Sequence, residues 1–354
     1  MRDFDYSYLK DRTWSNEIVA YLTKIHEYRG KQELFLRQKP AAIERLVEVA
    51  RIQSTESSNR IEGIRTTAPR LRQLVTSKTT PKTRDEQEIL GYRNVLDLIH
   101  ESHDYIPVRP NYILQLHRDL MRYTGSSFGG SYKSTPNEID AILANGERTT
   151  LFVPLAPNEV PEAMESLCDA YDRGLGQGVV DPLILIPCFV LDFLCIHPFD
   201  DGNGRMSRLL TLLLLYRAGY SVGRYISIEK AIADTKDAYY DALGLADSGW
   251  HEARNDLKPF IEYMLGIVLA CYRDLESRVS IVEDAGARST SYDVVLAYAR
   301  NTLGVFSKRE VMEACPVLGS SSVESALKKL VDEGALVRLG AGRKTRYVRS
   351  DAVG

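Results

Sequence analysis

The sequence predicts a mainly α-helical protein in three parts, with little strand. Three observations carry that expectation. Apolar residues recur at helical spacing along much of the chain, as at Ile18, Leu22 and Ile25 and again at Ile113, Leu116, Leu120 and Met121. A central stretch reads apolar segment, polar loop, apolar segment, from Leu183 through residues 197–208 to Leu215. From about residue 285 the order becomes helix, turn, helix, hairpin. A chain of 354 residues accommodates two or three domains. The division expected is an N-terminal helical region over 1–105, a core over 106–280 and a C-terminal domain over 285–354.

Residues 1–40 hold Trp14 and an amphipathic helix. Residues 41–53 continue helically, with Ile43, Leu46, Val47 and Ala50 on one face. The run from Ser54 to Gly63, with Ser58 four residues before Glu62-Gly63, reads by itself as a capped helix turn with solvated charges. Residues 69–105 form another helical stretch, and Ile106-Pro107-Val108 marks a break. Asn111 to Tyr123 is strongly amphipathic, and its His117 reads as structural. Residues 131–154 have strand character, with Asn145-Gly146 as a hairpin turn and Thr149 to Val153 β-prone. Pro157 to Tyr171 is the next helix, and residues 174–178 form a Gly-rich flexible link.

That link leads to His197-Pro198-Phe199-Asp200-Asp201-Gly202-Asn203-Gly204-Arg205-Met206-Ser207-Arg208. Pro198 disfavours helical geometry at His197, so the preceding helix should end there. Gly219 is a C-terminal cap for the helix that follows. A polar loop between buried helices needs a ligand or a dense hydrogen-bond network to offset its desolvation. Gly202 and Gly204 permit positive φ and close backbone approach. Their amides, with that of Asn203, suit an anion nest at a helix start. Arg205 and Arg208, three apart, share one face of the first turn, and two guanidinium forks suit an oligophosphate. Asp201 is a hard oxygen ligand of the kind Mg²⁺ takes beside a nucleotide. His197 can accept a proton near neutral pH. No Walker A pattern occurs anywhere in the sequence.

This stretch resembles the Fic family signature, His-x-Phe-x-Asp/Glu-Gly-Asn-Gly-Arg-x-x-Arg, with every fixed position present. The resemblance implies a Fic-type helical core with a small β-hairpin flap. It implies an enzyme that transfers AMP from Mg·ATP to a Tyr, Ser or Thr hydroxyl of a target protein or of itself. His197 would then deprotonate the hydroxyl and Asp201 would hold Mg²⁺. Gly202, Asn203, Gly204 and Arg205 would cradle phosphate, Arg208 would reach the γ-phosphate, and Phe199 would anchor the loop. Gly204 stands where a kinase-like branch of the family has Lys, which favours adenylyl transfer. Ser58, Glu62 and Gly63 resemble the family's inhibitory-helix motif, Ser/Thr-x-x-x-Glu-Gly/Asn, placed N-terminally. Ser131-Tyr132-Lys133 and Phe152-Val153-Pro154 resemble the flanks of the flap, whereas Pro136 to Ile139 departs from many relatives.

After the signature, Tyr225 to Ile228 reads as a short extended piece, and a helix is expected from Leu257 to about Val279. Tyr239 and Tyr240 sit in a Tyr-Tyr-x-x-Leu stretch similar to one that meets adenine in the family; as residues they are equally core aromatics. Toward the C-terminus, Ser307 is an N-cap, Ser320-Ser321-Ser322 cap a helix to Glu333, and Gly334 ends it. Leu336-Val337-Arg338 then pairs with Thr345 to Val348, completing a winged helix-turn-helix pattern. Residues 336–349 carry Arg338, Arg343, Lys344, Arg346 and Arg349 and no acid. Such a wing suits DNA phosphates, and winged helices also bind proteins.

Net charge is −3, so bulk charge points to no dedicated nucleic-acid or membrane partner. Five scattered cysteines without a Cys-x-x-Cys pair suggest neither a zinc ribbon nor a disulfide framework. The longest apolar run is interrupted by Pro187 and Asp192, and no signal-peptide core opens the chain; a cytoplasmic protein is expected. The expected function is adenylyl transfer held down by Glu62, with a homo-oligomer left open. Two other readings stand beside it: a DNA-binding regulator whose pocket senses nucleotide, and an enzyme that removes AMP with Glu62 orienting water. The intact His197 argues against a pure sensor, because sensing needs no general base.

Overall fold

The computed structural model describes residues 4–38, 40–76, 79–142, 148–176, 178, 180–284, 290–302, 305–315, 318–342 and 345–350. Among them are fourteen α-helices and two antiparallel two-stranded sheets. They group into two compact units: Met1–Arg29 with Ala50–Cys271, and Gly30–Val49 with Tyr272–Gly354.

Helix α1 spans Asn16–Gln38 and α2 spans Pro40–Ile61. The helical stretch expected over 41–53 therefore continues to Ile61. No glycine or proline interrupts it until Gly63, whose φ of 82° ends it. Ser54 does not cap; its hydroxyl donates to Glu229 Oε2 at 2.7 Å, inside the first unit. Ser58 thus lies on the last turn of α2 and Glu62 in the turn that closes it. The stretch expected over 69–105 is two helices, α3 (Ala68–Val75) and α4 (Arg84–Ser102). Pro81 separates them, and Thr83 caps α4 by accepting from the Glu86 N–H. Helix α5 (Pro110–Met121) buries Ile113, Leu116, His117, Leu120 and Met121.

The flap is the pair β1 (Ile139–Ile142) and β2 (Arg148–Phe152), with Ile139 opposite Phe152 and a register shift between Ile139 and Asp140. Its expected turn, Asn145-Gly146, lies outside the described residues. Helix α6 (Val160–Gly176) precedes α7 (Pro182–Ile196), which is buried from Leu183 to Ile196. An all-apolar helix of this kind is a core helix. Pro187 is accommodated inside it, and Asp192 is satisfied by Tyr6 Oη at 2.6 Å and Trp250 Nε1 at 2.7 Å. Helix α8 (Asn203–Arg217) packs on α7 and ends in a Schellman turn, with the Tyr220 N–H on Leu215 O and Gly219 at φ 86°. No helix among the described residues is long and apolar enough to cross a membrane.

The piece expected to be extended at 225–228 is not a strand. A 3₁₀ turn at Val222–Arg224 leads into α9 (Ile228–Asp234), capped by Ser227. Tyr225, Ile226 and Ile228 are buried there as a turn and helix start, and among the described residues neither two-stranded sheet pairs with them. Helices α10 (Lys236–Asp247) and α11 (Lys258–Asp284) follow.

In the second unit α12 (Ser291–Asn301) and α13 (Lys308–Ala314) both open with capping boxes, Thr290 with Asp293 and Ser307 with Glu310. Helix α14 (Ser320–Asp332) has Gly319 as its N-cap, so the three serines form its first turn rather than its cap. Strands β3 (Leu336–Leu339) and β4 (Arg346–Arg349) pair with Arg338 opposite Tyr347. Val295, Phe306, Val311, Leu327, Leu330 and Leu336 share the core of this unit. Arg343 and Lys344 lie outside the described residues.

Candidate functional site

The site is built on the loop between α7 and α8. His197 adopts the left-handed conformation, φ 51° and ψ 61°, and its N–H bonds Phe193 O at 3.0 Å. Pro198 bars the right-handed helical region at His197, and the left-handed one costs a non-glycine residue about 1–2 kcal/mol. The His197 Nδ1–H donates to Leu194 O at 3.3 Å, which leaves Nε2 with its lone pair. Burial pushes the imidazole down to about 4, against the Leu194 bond and Glu62 and with help from Lys133. At neutral pH the ring is therefore in its proton-accepting form.

The loop is held from within and from beneath. The Asn203 carboxamide closes it, with Oδ1 accepting from the Phe199 N–H at 2.9 Å and Nδ2 donating to Phe199 O at 2.7 Å. Asn203 thus spends its side chain on the loop and offers only its backbone amide to an anion. Phe199 is fully buried and stacks on His117, centroids 3.7 Å apart and planes 8° apart. The His117 Nε2–H donates to Asp201 O at 3.0 Å while Nδ1 accepts from the Gly130 N–H at 3.0 Å. His117 is structural, and what it supports is this loop.

Gly202, at φ 87°, is the N-cap of α8 and makes no side-chain cap. The helical ladder begins with the Met206 N–H on Gly202 O at 2.8 Å. The amides of Asn203, Gly204 and Arg205 precede that ladder, the arrangement that binds anions at a helix start.

The two arginines do not share a target as their spacing suggested. Arg205 is 1% exposed and donates to Glu88 Oε2 at 2.7 Å and to Asp201 Oδ1 at 3.2 Å; its Nε has no partner among the described residues. Arg208, 3% exposed, donates Nε to Ser58 Oγ at 2.8 Å, and its Nη2 reaches Ser58 O at 2.9 Å and Glu62 Oε1 at 2.6 Å. A buried guanidinium needs neutralising, and each takes the carboxylate nearest its own tip. Gly204 makes room for Glu62: a Cβ there would lie 2.2 Å from Glu62 Oε1.

Glu62, His197, Gly204, Arg208, Tyr239 and Tyr240 line one cavity of about 160 Å³ with Ile139 and Phe152 of the flap. Tyr239 is buried, Tyr240 is exposed, and their rings meet edge-on at 5.3 Å. The flap's inner end is fixed by Phe152 stacked on His251 and by the His251 Nε2–H on Val153 O at 2.8 Å. Gly63 is in the turn behind Glu62, with a φ of 82° that would strain any side chain.

Sequence reasoning missed four residues. Glu88 carries the Arg205 pair, and its signal was an acid 6% exposed among Ile89 and Leu90 on α4. Asp247 lines the cavity, and burial raises its carboxyl to about 6. Lys133 and Asn137 bond the loop backbone. Glu88 and Asp247 have no motif of their own; Lys133 stands in the Ser131-Tyr132-Lys133 flank of the flap and Asn137 in the run from Pro136 to Ile139, without a role read for either. For a metal, Asp201 offers one partly exposed carboxylate beside the nest, and no cluster of three or more His, Cys, Asp or Glu forms a cage among the described residues. A lone carboxylate beside a phosphate nest fits Mg²⁺, which keeps waters and shares phosphate oxygens, better than a cation needing an all-protein shell.

A sequence model of the Fic/DOC family matches residues 107–215. The chain is 27% identical over 218 residues to protein adenylyltransferase fic-1 of Caenorhabditis elegans, covering 60% of this chain and 36% of that protein. It is 26% identical over 251 residues to protein adenylyltransferase Fic of Nematostella vectensis, covering 69% and 52%. The chain thus spans between about a third and a half of these curated relatives. In fold it is similar to a Fic family protein from Desulfovibrio desulfuricans, at a TM-score of 0.61 and 24% identity over 96% of this chain and 97% of that one. It is also similar to Fic-1 of C. elegans, at a TM-score of 0.60 and 20% identity over 75% and 73%. The α7–loop–α8 segment closes the matched stretch, whereas Glu62 reaches it from outside the matched residues.

Proposed function

We propose that this protein transfers AMP from ATP to a hydroxyl of a target protein or of itself, and that Glu62 restrains it. The observation that carries this reading is a neutral base, an anion nest and an arginine fork meeting at one cavity. The names of the adenylyltransferase relatives agree with it. His197 Nε2 takes the proton from the hydroxyl as its oxygen attacks the α-phosphorus. The new P–O bond replaces the bond to the β-phosphate bridge, and pyrophosphate leaves. The amides of Asn203, Gly204 and Arg205 hold phosphate oxygens, and the flap presents the target segment beside His197. Asp201, oriented by Arg205, would hold Mg²⁺, which supplies charge neutralisation on the phosphates. Arg208 would hold the γ-phosphate, and Glu62 occupies that fork, leaving a negative charge where the phosphate must sit.

Intact-mass measurement after incubation with Mg·ATP tests the reading. The Glu62→Gly protein should gain one AMP. His197→Ala on that background should lose transfer by ~10²–10⁴-fold, with ATP affinity by calorimetry little changed. An unaltered rate in the His197 variant would remove its role as base.

We infer further that the helices α12–α14 and the β3–β4 hairpin form a winged helix that meets duplex DNA through backbone phosphates. Arg338 and Arg346 on the hairpin support this. Replacing Arg343 and Lys344 with Ala should weaken DNA retention evenly across sequences and reduce the salt slope by about one per lost contact. A wild-type protein that retains no DNA at low salt would make the wing a protein-binding surface.

A further inference from the structure

The segment that enters the flap runs beside the loop that carries His197. Lys133 donates its backbone N–H to Pro198 O at 2.8 Å and its ammonium to Ile196 O at 3.3 Å. The ammonium also donates to Asn137 Oδ1 at 2.7 Å, and Asn137 Nδ2 reaches Phe199 O at 3.4 Å. Carbonyls on both sides of His197 are thereby held by two residues four apart at the root of the flap. Lys133 is 3% exposed, and lysine is almost never buried without a reason. These hydrogen-bond partners are neutral carbonyl and carboxamide oxygens, and burial lowers its ammonium to about 8 against the opposing pull of Asp200.

We propose that Lys133, with Asn137, is a positioning residue that fixes the left-handed His197 against the flap and sets its charge environment. The proposal rests on His197 acting as the base. Its physical content is that the loop geometry is strained and needs a partner outside the loop. The Pro198 carbonyl is bonded from the flap root, by the Lys133 N–H, and among the described residues by neither α7 nor α8. A bound target on the flap and the base that deprotonates it are therefore coupled through one short segment. Lys133 and Glu62 are the charges that act on His197, in opposite directions; Arg208 of α8 and Tyr239, Tyr240 and Asp247 of α10 line the same cavity.

The test compares Lys133→Met and Lys133→Arg in the full chain carrying Glu62→Gly. Three quantities are read: the His197 ring titration by NMR, assigned through its loss in His197→Asn; ATP affinity by calorimetry; and the transfer rate. Lys133→Met should move the His197 midpoint upward by roughly one pH unit, since a nearby cation is removed. It should cut kcat roughly 10- to 100-fold, because the base is displaced, and leave KM for ATP within about twofold, the expectation for a group acting on chemistry alone. Lys133→Arg should restore most of the rate and the midpoint. Asn137→Ala, which keeps the cation, should lower kcat to a lesser degree without shifting the midpoint, and it serves if Lys133→Met fails to fold. An unmoved His197 midpoint in Lys133→Met, a raised KM with unchanged kcat, or an Arg variant no better than Met would overturn the proposal. The titration needs no turnover: absence of AMP transfer in the Glu62→Gly parent would defeat the proposed function, and the midpoint would still decide the placement of Lys133.

Discussion

Arg205 and Arg208 sit one turn apart on the same helix, and each is paired with a glutamate from another part of the chain. Arg205 meets Glu88 on α4, both side chains almost sealed from water at 1% and 8% exposure. Arg208 meets Glu62 in the turn after α2, where the carboxylate remains 32% exposed. The pairs look alike on paper and differ in what their separation would cost. Opening the first leaves a buried, uncompensated charge, which costs several kcal/mol. Opening the second returns one carboxylate to water and leaves the Arg208 fork, still bonded to Ser58, beside a cavity from which an anion can neutralise it. The first pair is scaffold: it holds Arg205 so that Arg205 can orient Asp201. The second is displaceable, and under the proposed function it occupies the position the γ-phosphate would take. Burial, rather than residue type, separates a strut from a latch.

The largest effect that sharpens this contrast is expected at the sealed pair. Glu88→Ala should destabilise the protein by about 3–5 kcal/mol, read as a fall in the denaturant midpoint and a loss of transfer together. A midpoint within the error of wild type would mean that Arg205 finds another partner and that the strut reading is wrong.

At the displaceable pair the signs reverse. Charge-assisted bonds contribute ~1.5–3 kcal/mol, so Glu62→Gly should raise incorporation of α-labelled ATP roughly 10–100-fold. It should also cost some stability, though less than Glu88→Ala, because the buried Arg208 loses its carboxylate and keeps only Ser58 while the Glu62 side chain was already a third in water. Arg208→Ala on top should cancel the gain, and Glu62→Gln should fall between, keeping bulk without charge. Equal incorporation by wild type and Glu62→Gly would reduce the turn from Ser58 to Gly63 to a helix ending.

A smaller effect distinguishes the latch from the nest it covers. A methyl at residue 204 would meet Glu62 Oε1 at 2.2 Å, too close to coexist. Gly204→Ala should push the carboxylate off Arg208 and raise transfer by less than about tenfold, since the same methyl also crowds the phosphate. Placed on the Glu62→Gly background, the substitution should only lower the rate. A further gain there would show that residue 204 acts on something other than Glu62.

What the sequence determined by itself was local. Pro198 and Gly202 set the backbone of the loop, the apolar run made α7 a core helix, and Gly219 placed the end of α8. Those features depend on residues a few positions away, so they were legible, as was the Ser307 N-cap of α13. The short extended piece expected at 225–228 became a turn and a helix start for the complementary reason: β-prone residues stay extended in a strand only where an edge is available to pair with. The tertiary structure alone decided where each charge goes. Spacing placed Arg205 and Arg208 on one face, but a buried guanidinium is directed by the carboxylate that neutralises it, and Glu88 and Glu62 lie 117 and 146 residues away. Lys133 and Asn137 were opaque for the same reason, since their partners are backbone carbonyls that any sequence supplies. The chain encodes the loop in its neighbours and the chemistry of the loop in residues that only folding brings beside it.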